Sequence, residues 1–500
     1  MRRIAYLFLA AISKVGVGTA RAGTGALARP GRAKLGPLLA VALITFSIAA
    51  MATAETRPHY GGTLRVMLPS APATLEVPAN ATPSEYWDDA RTLSLIGDTL
   101  VKLDPLGRPQ LALAVAWQSD PGARHWQFTV RRGVKFHDGS AASAAAVAQI
   151  LGVLHPGWNV RASADSLSIE SETPMPSLLA ELALPRNLLL KRNANGVPIG
   201  TGPFVVAAWQ PGKFLKLAAN DDSWAGRPFV DAVEMEFGKS MRDQAIALEL
   251  DKADVIEVPP QAGLAAQRRS AASSVSLPVE LLALVFPANS RAQDPRLREG
   301  LTLAIDRKPI QSVLLKGAGE PAASILPNWM TGYAAVFPAQ ANPQRARILL
   351  ADSRLTALNL TYDPRDPQAQ LIAERIALNA REVGLTVQVS LSGAPDIRLT
   401  RVVLPSPDPV TSLAEAARQL GLPQPATPAL RGNSLDDLYQ TERSLLDGYA
   451  IIPLFHLPLA SAASSRVRGW GLDQLGEWNQ PGHSLPDVWL GDSRPEAASQ

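Results

Sequence analysis

Several short segments of the chain alternate between apolar and polar positions. In Thr63–Leu68, Trp126–Val130 and Val233–Phe237, apolar side chains recur at every second position. A period of two predicts strands that have one buried face. Phe204–Trp209 and Phe214–Leu217 are apolar too, and they flank the sequence Gln-Pro-Gly-Lys at 210–213. Since Pro and Gly suit the middle of a type II turn, these two segments predict a hairpin.

Helical spacing and capping residues predict helices between the strands. The Ala-rich segment Ser140–Leu151 is predicted to be helical, with Ser140 or Ser143 suited to cap it. Leu297–Ile305 has apolar residues at helical spacing. It follows Asp294, a suitable N-cap before a proline.

The last third of the chain predicts a β-α-β unit and then a helix followed by a strand. The unit has strands at Leu358–Tyr362 and Leu385–Leu391 and a helix at Pro367–Val383. A helix at Ser434–Leu446 precedes an apolar strand at Ala450–Phe455. Because strands and helices are mixed throughout, we predict an α/β fold.

The composition is that of a large folded protein. The chain has 500 residues, of which 46% are hydrophobic and 19% charged, enough to bury a core and to form two or three domains. Its 36 glycines and 42 prolines follow no period, which excludes collagen-like and solenoid folds. No run of about 18 apolar residues follows residue 54, so we expect the body of the chain not to span a membrane.

The positive charge is concentrated at the N-terminus. Residues 1–54 hold seven Lys or Arg and no acid, which leaves 41 basic against 45 acidic residues, a net charge of −4, in the rest. A mildly acidic body without a basic tract argues against nucleic acid as a partner.

The same N-terminal region has the features of an export signal. Arg32 and Lys34 precede the uncharged stretch Leu38–Ala54, which ends in Ala-Thr-Ala. We interpret residues 1–54 as a basic extension and a signal peptide, cleaved after Ala54. An uncleaved membrane anchor is the alternative.

The chain contains no cysteine. An exported protein without disulfides must be stabilised by its core alone, and without cysteine it cannot carry a lipid on an N-terminal thiol. We therefore expect a soluble periplasmic protein.

Recognisable catalytic and metal-binding motifs are absent from the sequence. It has no HExxH, GxSxG or Walker A pattern, and its six histidines include no pair four residues apart. Asp88-Asp89 and Asp436-Asp437 are adjacent, and neighbours on a helix or strand point apart, so we expect them to be solvated or to cap helices. The sequence predicts no enzyme activity, no bound metal and no cofactor.

Five blocks resemble the family 5 extracellular solute-binding proteins, which include the dipeptide-, oligopeptide- and nickel-binding components of ABC importers. Trp126–Gly139, with the sequence WQFTVRRGVKFHDG, looks like the family signature. Gly200–Phe237 resembles a second conserved block, including its GTGPF start. Asp294–Ile310, Leu355–Val389 and Leu438–His456 are similar to later blocks and follow in the family's order.

The resemblance implies a fold like that of the type II periplasmic binding proteins, with two lobes, a hinge and an extra domain that is shortened here. Lobe I would comprise residues 55–82, 190–290 and 456–495. The extra domain, or lobe II, would comprise residues 83–189, and lobe III residues 291–455. Closure of the lobes would enclose a ligand and present a new surface to an ABC permease in the inner membrane. We expect a monomer.

The resemblance also suggests ligand-binding residues. The prolines around Asp408 resemble the family stretch whose aspartate meets a ligand ammonium group; the alternative is a turn-forming aspartate. Thr74 and Glu76 fall in the counterpart of the first cleft-facing loop. Trp470 and Trp478 are candidates to stack on a ligand, or are partly buried structural residues.

These observations favour a periplasmic binding protein of an ABC importer that captures peptides or similar small polar solutes. The alternative is a degenerate binding-protein fold that acts as a periplasmic interaction or regulatory module without a transport ligand. A third hypothesis, an exported hydrolase, would need a nucleophile and a base that only the fold brings together.

Overall fold

The computed structural model describes residues 58–72, 74–76, 83–268, 273–333, 335–351, 357–366, 368–425, 434–472, 475–476, 478 and 485–491. The predicted signal peptide and its cleavage site lie outside this part of the chain. Within it, no helix combines the length and the apolar character needed to cross a membrane.

The described residues form an α/β structure. Its strands are β1 (Thr63–Met67), β2 (Val101–Leu103), β3 (Pro109–Leu111), β4 (Ala114–Ser119), β5 (His125–Val130), β6 (Asn159–Ser163), β7 (Ser166–Glu170), β8 (Lys191–Arg192), β9 (Pro198–Ile199), β10 (Phe204–Gln210), β11 (Phe214–Ala219), β12 (Ala232–Glu236), β13 (Val255–Glu257), β14 (Ser273–Val285), β15 (Glu320–Pro321), β16 (Leu358–Thr361), β17 (Val387–Val389), β18 (Ile397–Val403), β19 (Ile451–Ala463), β20 (Val467–Arg468) and β21 (Trp489–Leu490).

The helices lie between these strands. Those of four or more residues are α1 (Pro83–Leu93), α2 (Ala144–Leu154), α3 (Leu178–Leu182), α4 (Met241–Glu249), α5 (Pro260–Arg268), α6 (Pro295–Ala304), α7 (Asn328–Thr331), α8 (Pro343–Leu350), α9 (Ala369–Glu382), α10 (Pro409–Leu420) and α11 (Leu435–Leu445). Three-residue helical segments lie at Pro185–Asn187, Arg307–Pro309, Asp447–Tyr449 and Leu485–Asp487, and a π-helical turn of five residues lies at Ile310–Leu314.

One large sheet organises the described residues. Its strands run in the order β10-β11-β12-β1-β13-β19-β14-β18-β16-β17, with β15 paired to β19 off this path. A separate four-stranded sheet has the order β4-β5-β7-β6. The large sheet contains two groups of parallel neighbours: β1 pairs in parallel with β12 and β13, and β16 pairs in parallel with β17 and β18.

Local signals in the sequence account for several elements. Ser143 caps α2 by accepting from Ala146 N, and Asp294 caps α6 by accepting from Arg296 N. The predicted hairpin is confirmed, because β10 and β11 pair antiparallel around Gly212, whose φ of 74° fits the third position of a type II turn. The predicted β-α-β unit is confirmed as β16, α9 and β17.

The two longest strands cross the middle of the large sheet. β14 and β19 each have 13 residues and pair antiparallel with each other. The sequence predicted only the first part of β19, to Phe455. The strand continues through Pro458, which faces Pro278 where the register is irregular, a position at which proline costs little ladder hydrogen bonding.

Buried apolar side chains form distinct clusters along the sheet. One cluster packs on β1 and β10–β12 and includes Phe204, and a second packs around α6, α9 and β16 and includes Ile372. A third lies beneath the four-stranded sheet and includes Phe128. The predicted lobe boundary between residues 455 and 456 falls within the continuous strand β19. The division into three lobes stays a prediction.

Candidate functional site

A cavity lies where the carboxyl ends of the parallel strands meet. The cavity has a volume of about 180 Å³. Its lining includes Leu68–Ser70, which follows β1, and Val258–Pro260, which follows β13. It also includes three charged residues that follow β16: Asp363, Arg365 and Asp366. Since loops at the carboxyl ends of strands form the ligand crevice in open α/β sheets, this is the position at which a ligand site is expected. A single water needs about 10–15 Å³ of such space, so the cavity holds on the order of a dozen waters.

One wall of the cavity comes from helix α1. Trp87, Asp88 and Arg91 all line it. The Nη2 atom of Arg91 lies 3.3 Å from Asp88 Oδ1, one helical turn earlier, and 2.6 Å from Glu257 Oε1 at the end of β13. A single guanidinium group thus faces two carboxylates and joins the helix to the sheet.

A second wall comes from β14, β18 and the loop after β16. Arg401 on β18 is held between two carboxylates: Glu280 Oε2 on β14 at 2.5 Å and Asp366 Oδ2 at 2.6 Å. In the same loop, Arg365 Nη2 lies 2.8 Å from Asp363 Oδ2. The β14–β18 register places Glu280 opposite Val403 and so diagonal to Arg401, within reach of a long side chain.

Burial and neighbouring charges shift the pKa values of Asp88, Glu280 and Arg401. Burial raises the pKa of Asp88 to about 6, against the opposing charge of Arg91. Burial likewise raises the pKa of Glu280, although Arg401 opposes the shift. Burial alone would lower the pKa of Arg401, but Glu280 and Asp366 outweigh it and raise that pKa. Arg401 is therefore charged, and Glu280 and Asp366 share its charge.

The lining of the cavity has an excess of acid. Its described charged residues are five carboxylates and three guanidinium groups, a net charge of −2 when all are ionised: Asp88, Glu257, Glu280, Asp363, Asp366, Arg91, Arg365 and Arg401.

Two indole groups in the lining have buried N–H donors. Trp87 is 6% exposed and Trp478 is 2% exposed. The Nε1 atoms of both are buried without a hydrogen-bond partner among the described residues. The guanidinium carbon of Arg91 lies 4.2 Å from the centroid of the Trp478 ring. An unpaired buried donor has a free-energy cost that a ligand acceptor would remove.

A second groove, of about 660 Å³, lies outside this cavity, between Thr173–Leu178 and α10. The charged side chains of its lining are paired: Arg186 contacts Glu181, which also lines the groove, and both Arg186 and Arg418 contact the buried Glu415, with 2.5 Å between Arg418 Nη2 and Glu415 Oε1. Because those charges already neutralise one another, the groove places no charge requirement on a ligand. The cavity at the strand ends is the better candidate site.

The structure places the predicted site residues in different environments. Trp478 lines the cavity. Trp470 packs edge-on against Trp478, with ring centroids 5.9 Å apart, and donates from Nε1 to Ser461 Oγ at 3.0 Å. Trp470 therefore packs against one lining residue, Trp478, and donates a hydrogen bond to another, Ser461.

The other three candidates lie away from the described lining. Thr74 and Glu76 are exposed, and Glu76 Oε1 lies 3.2 Å from Arg192 Nε. Asp408 is the N-cap of α10, where its side chain accepts from Thr411 N at 2.8 Å. A ligand contact for these residues stays a prediction.

Sequence reasoning missed most of the charged residues in the lining. It took Asp88 to be solvated or capping, which was wrong, because Asp88 is only 7% exposed and faces Arg91 and Glu257. A signal was present: Glu280 and Arg401 each interrupt an apolar strand, and charged residues are rarely buried unless they are paired or functional. Within the described residues, no group of three or more His, Asp or Glu could hold a metal ion.

Comparison with known proteins identifies the family of the chain. Residues 108–400 match the family model described as bacterial extracellular solute-binding proteins, family 5 middle. Di/tripeptide-binding protein 2 of Pseudomonas aeruginosa (strain UCBPP-PA14) is 24% identical over 406 residues, 70% of this chain and 75% of that protein. The probable di/tripeptide-binding protein 5 of the same strain is 27% identical over 203 residues, and the match spans only 39% of each chain.

Solved structures share the fold. The dipeptide-binding protein of Pseudoalteromonas sp. SM9913 in complex with Met-Leu has a TM-score of 0.74 at 19% identity, covering 86% of this chain and 100% of that one. NikA from Staphylococcus aureus in complex with Ni(L-His)2 has a TM-score of 0.70 at 19% identity, covering 83% and 97%. The fold is that of the type II periplasmic binding proteins. Because the family model matches more than half of its length, the chain belongs to the family 5 bacterial extracellular solute-binding proteins.

Proposed function

We propose that the protein is the substrate-binding component of an ABC importer and captures a peptide or a similarly small polar solute in the cavity at the strand ends. The observation that carries the proposal is the lining itself. At the carboxyl ends of both groups of parallel strands, charged side chains converge with two indole N–H groups that have no partner among the described residues. Such a mixture of apolar surface and a few polar groups is typical of small-molecule sites.

The walls of the cavity suggest how binding is coupled to closure. Leu68–Ser70 and Glu257 lie on one side, and Asp366 and Arg401 on the other. A ligand that contacts both walls stabilises the closed arrangement to the extent that it binds that arrangement better than the open one. In this proposal the closed form, with its ligand, is what the permease recognises.

The family supports the remaining parts of the proposal. Relatives are named as di/tripeptide-binding proteins and, in Escherichia coli, as a nickel-binding periplasmic protein that is 23% identical over 343 residues. We place this protein in the periplasm, as a monomer that acts by binding rather than by catalysis. An ABC permease of the inner membrane is its proposed partner.

Native mass spectrometry of the protein purified without denaturant tests the proposal. We expect a complex heavier than the bare chain by one small polar solute, which is released and identified after denaturation, because closure slows ligand escape. A bare-chain mass in every preparation, together with no thermal shift in a screen of peptides and small polar solutes, would contradict the proposal.

A further inference from the structure

We propose that this cavity selects compact organic cations that carry no carboxylate, and that Asp88, Glu257, Glu280 and Asp366 determine the preference. The inference rests on the proposed function, since it takes the cavity as the ligand site. It concerns the charge of the ligand, which the family relationship leaves open.

The first argument is that the cations of the described lining are already paired. Arg91 lies between Asp88 and Glu257, and Arg401 lies between Glu280 and Asp366. Arg365 is paired with Asp363 in the same way. A ligand carboxylate would have to share one of these arginines with the carboxylates that already contact it, and the like charges would repel one another in a largely desolvated site.

The second argument is the excess of negative charge. Each of Arg91 and Arg401 neutralises one unit of charge while it contacts two carboxylates. Each wall is therefore left with one uncompensated negative charge. Burial is the main cause of the raised pKa values of Asp88 and Glu280, and the charge of Glu257 raises both further. What each wall lacks is one positive charge. An ammonium or guanidinium group between the walls would supply it.

The third argument comes from the two tryptophans and is independent of the acids. Within the part of the chain that the structure describes, the buried indole Nε1 donors of Trp87 and Trp478 have no partner. They call for a hydrogen-bond acceptor on the ligand, such as a hydroxyl or an amide carbonyl. The cavity volume of about 180 Å³ limits the ligand to on the order of a dozen non-hydrogen atoms. The class is thus a small amine or guanidine with one or two neutral acceptors.

A series of probes that differ in charge tests this inference on the full protein. Isothermal titration calorimetry is run with alanyl-lysine amide, alanyl-lysine, alanyl-alanine, alanyl-glutamate and the polyamine spermidine. We expect affinity to follow positive charge, with alanyl-lysine amide binding at least tenfold more tightly than alanyl-lysine and at least a hundredfold more tightly than alanyl-alanine. Spermidine should also bind more tightly than alanyl-alanine.

Equal or tighter binding of alanyl-alanine or alanyl-glutamate would overturn the inference and leave the proposed function standing. So would the release of a neutral or acidic solute from the purified protein. If none of the probes binds and no solute is released, the proposed function fails, and this inference fails with it.

Two variants assign the preference to the named residues. Glu257→Gln and Asp366→Asn should each reduce the ratio of affinities for alanyl-lysine amide and alanyl-alanine by about fivefold or more. Glu236→Gln is the matched control, because Glu236 is paired with Lys239 outside the cavity, and it should leave the ratio unchanged. An unchanged ratio in both cavity variants, each with a wild-type circular dichroism spectrum, would remove these residues from the selection.

Discussion

Arg91 and Glu257 form an ion pair, with 2.6 Å between Nη2 and Oε1, that fastens helix α1 to the end of strand β13. The Arg91 side chain is only 5% exposed and also contacts Asp88 and the face of Trp478. One side chain therefore holds together an acid, an aromatic ring and two secondary-structure elements at the wall of the cavity.

Replacing Arg91 is expected to destabilise the folded protein. Arg91→Met leaves Asp88 and Glu257 without their shared counter-charge, and breaking a buried pair in this way costs about 3 kcal/mol. Denaturant unfolding at pH 7.5 measures the loss. Arg132→Met is the control, since Arg132 is 84% exposed and its ion pair with Asp165 should contribute much less. Equal losses in both variants would contradict a structural role for the Arg91 pair.

Asp88 predicts a specific pH dependence of stability. Its pKa is about 6 in the folded protein, above the ordinary value, so between about pH 4 and pH 6 the folded state holds a proton that the unfolded state has lost. Its stabilising contribution is complete below about pH 4 and is lost as the pH rises through 6. Burial is the main cause of the raised pKa. Arg91, Ser70 and Arg365 lower this pKa, and Glu257 raises it further.

Asp88→Asn removes the titration. The free energy of unfolding of the variant, relative to that of the wild type, should therefore increase by about 2 to 3 kcal/mol between pH 4 and pH 7.5. Urea unfolding at several pH values measures the difference. A difference that does not change with pH would show that Asp88 titrates normally.

The unpartnered indole of Trp478 predicts an effect on binding. Trp478→Phe keeps an aromatic ring but removes the Nε1 donor, so a ligand with a neutral acceptor should bind about five- to tenfold more weakly, the value of one hydrogen bond. Trp470→Phe is the matched variant, because its N–H already binds Ser461, and it should change affinity by less than about twofold. Calorimetric titration with alanyl-lysine amide compares them; a larger loss in Trp470→Phe would contradict the assignment.

Two substitutions of Asp408 distinguish a helix-capping role from a ligand-binding role. As the N-cap of α10, it should tolerate Asn, which caps well, whereas Asp408→Ala should cost about 1 kcal/mol of stability. As a contact for a ligand ammonium group, Asp408→Asn should weaken binding more than tenfold. Thermal unfolding and calorimetric titration of both variants separate the two roles.

Local features of the sequence predicted most elements of the fold. Ser143 and Asp294 predicted helix starts and Gly212 predicted a turn, because each acts on residues a few positions away. The extent of β19 could not be predicted in this way. Its continuation past Phe455 depends on pairing with β14, which lies far away in sequence, and on the irregular register that accommodates Pro458.

The site was less predictable than the fold, for the same reason. Asp88 and Arg91 are neighbours on a helix, but Glu257 joins them only through folding. Arg401 and Glu280 are 121 positions apart in sequence. Trp478 was identified because an aromatic residue is a candidate to stack on a ligand in any cleft. The carboxylates can be recognised as site residues only when the fold shows which side chains they contact.

Hydrogen–deuterium exchange with and without the tightest-binding probe tests the central claim most directly. If the ligand lies between the two walls, exchange should slow together in three separate segments, residues 64–72, 255–260 and 357–366. The effect should be smaller in Glu257→Gln at the same subsaturating concentration of the probe, because that variant binds it more weakly. Protection confined to a single wall, or to the groove beside α10, would contradict the placement of the ligand in this cavity.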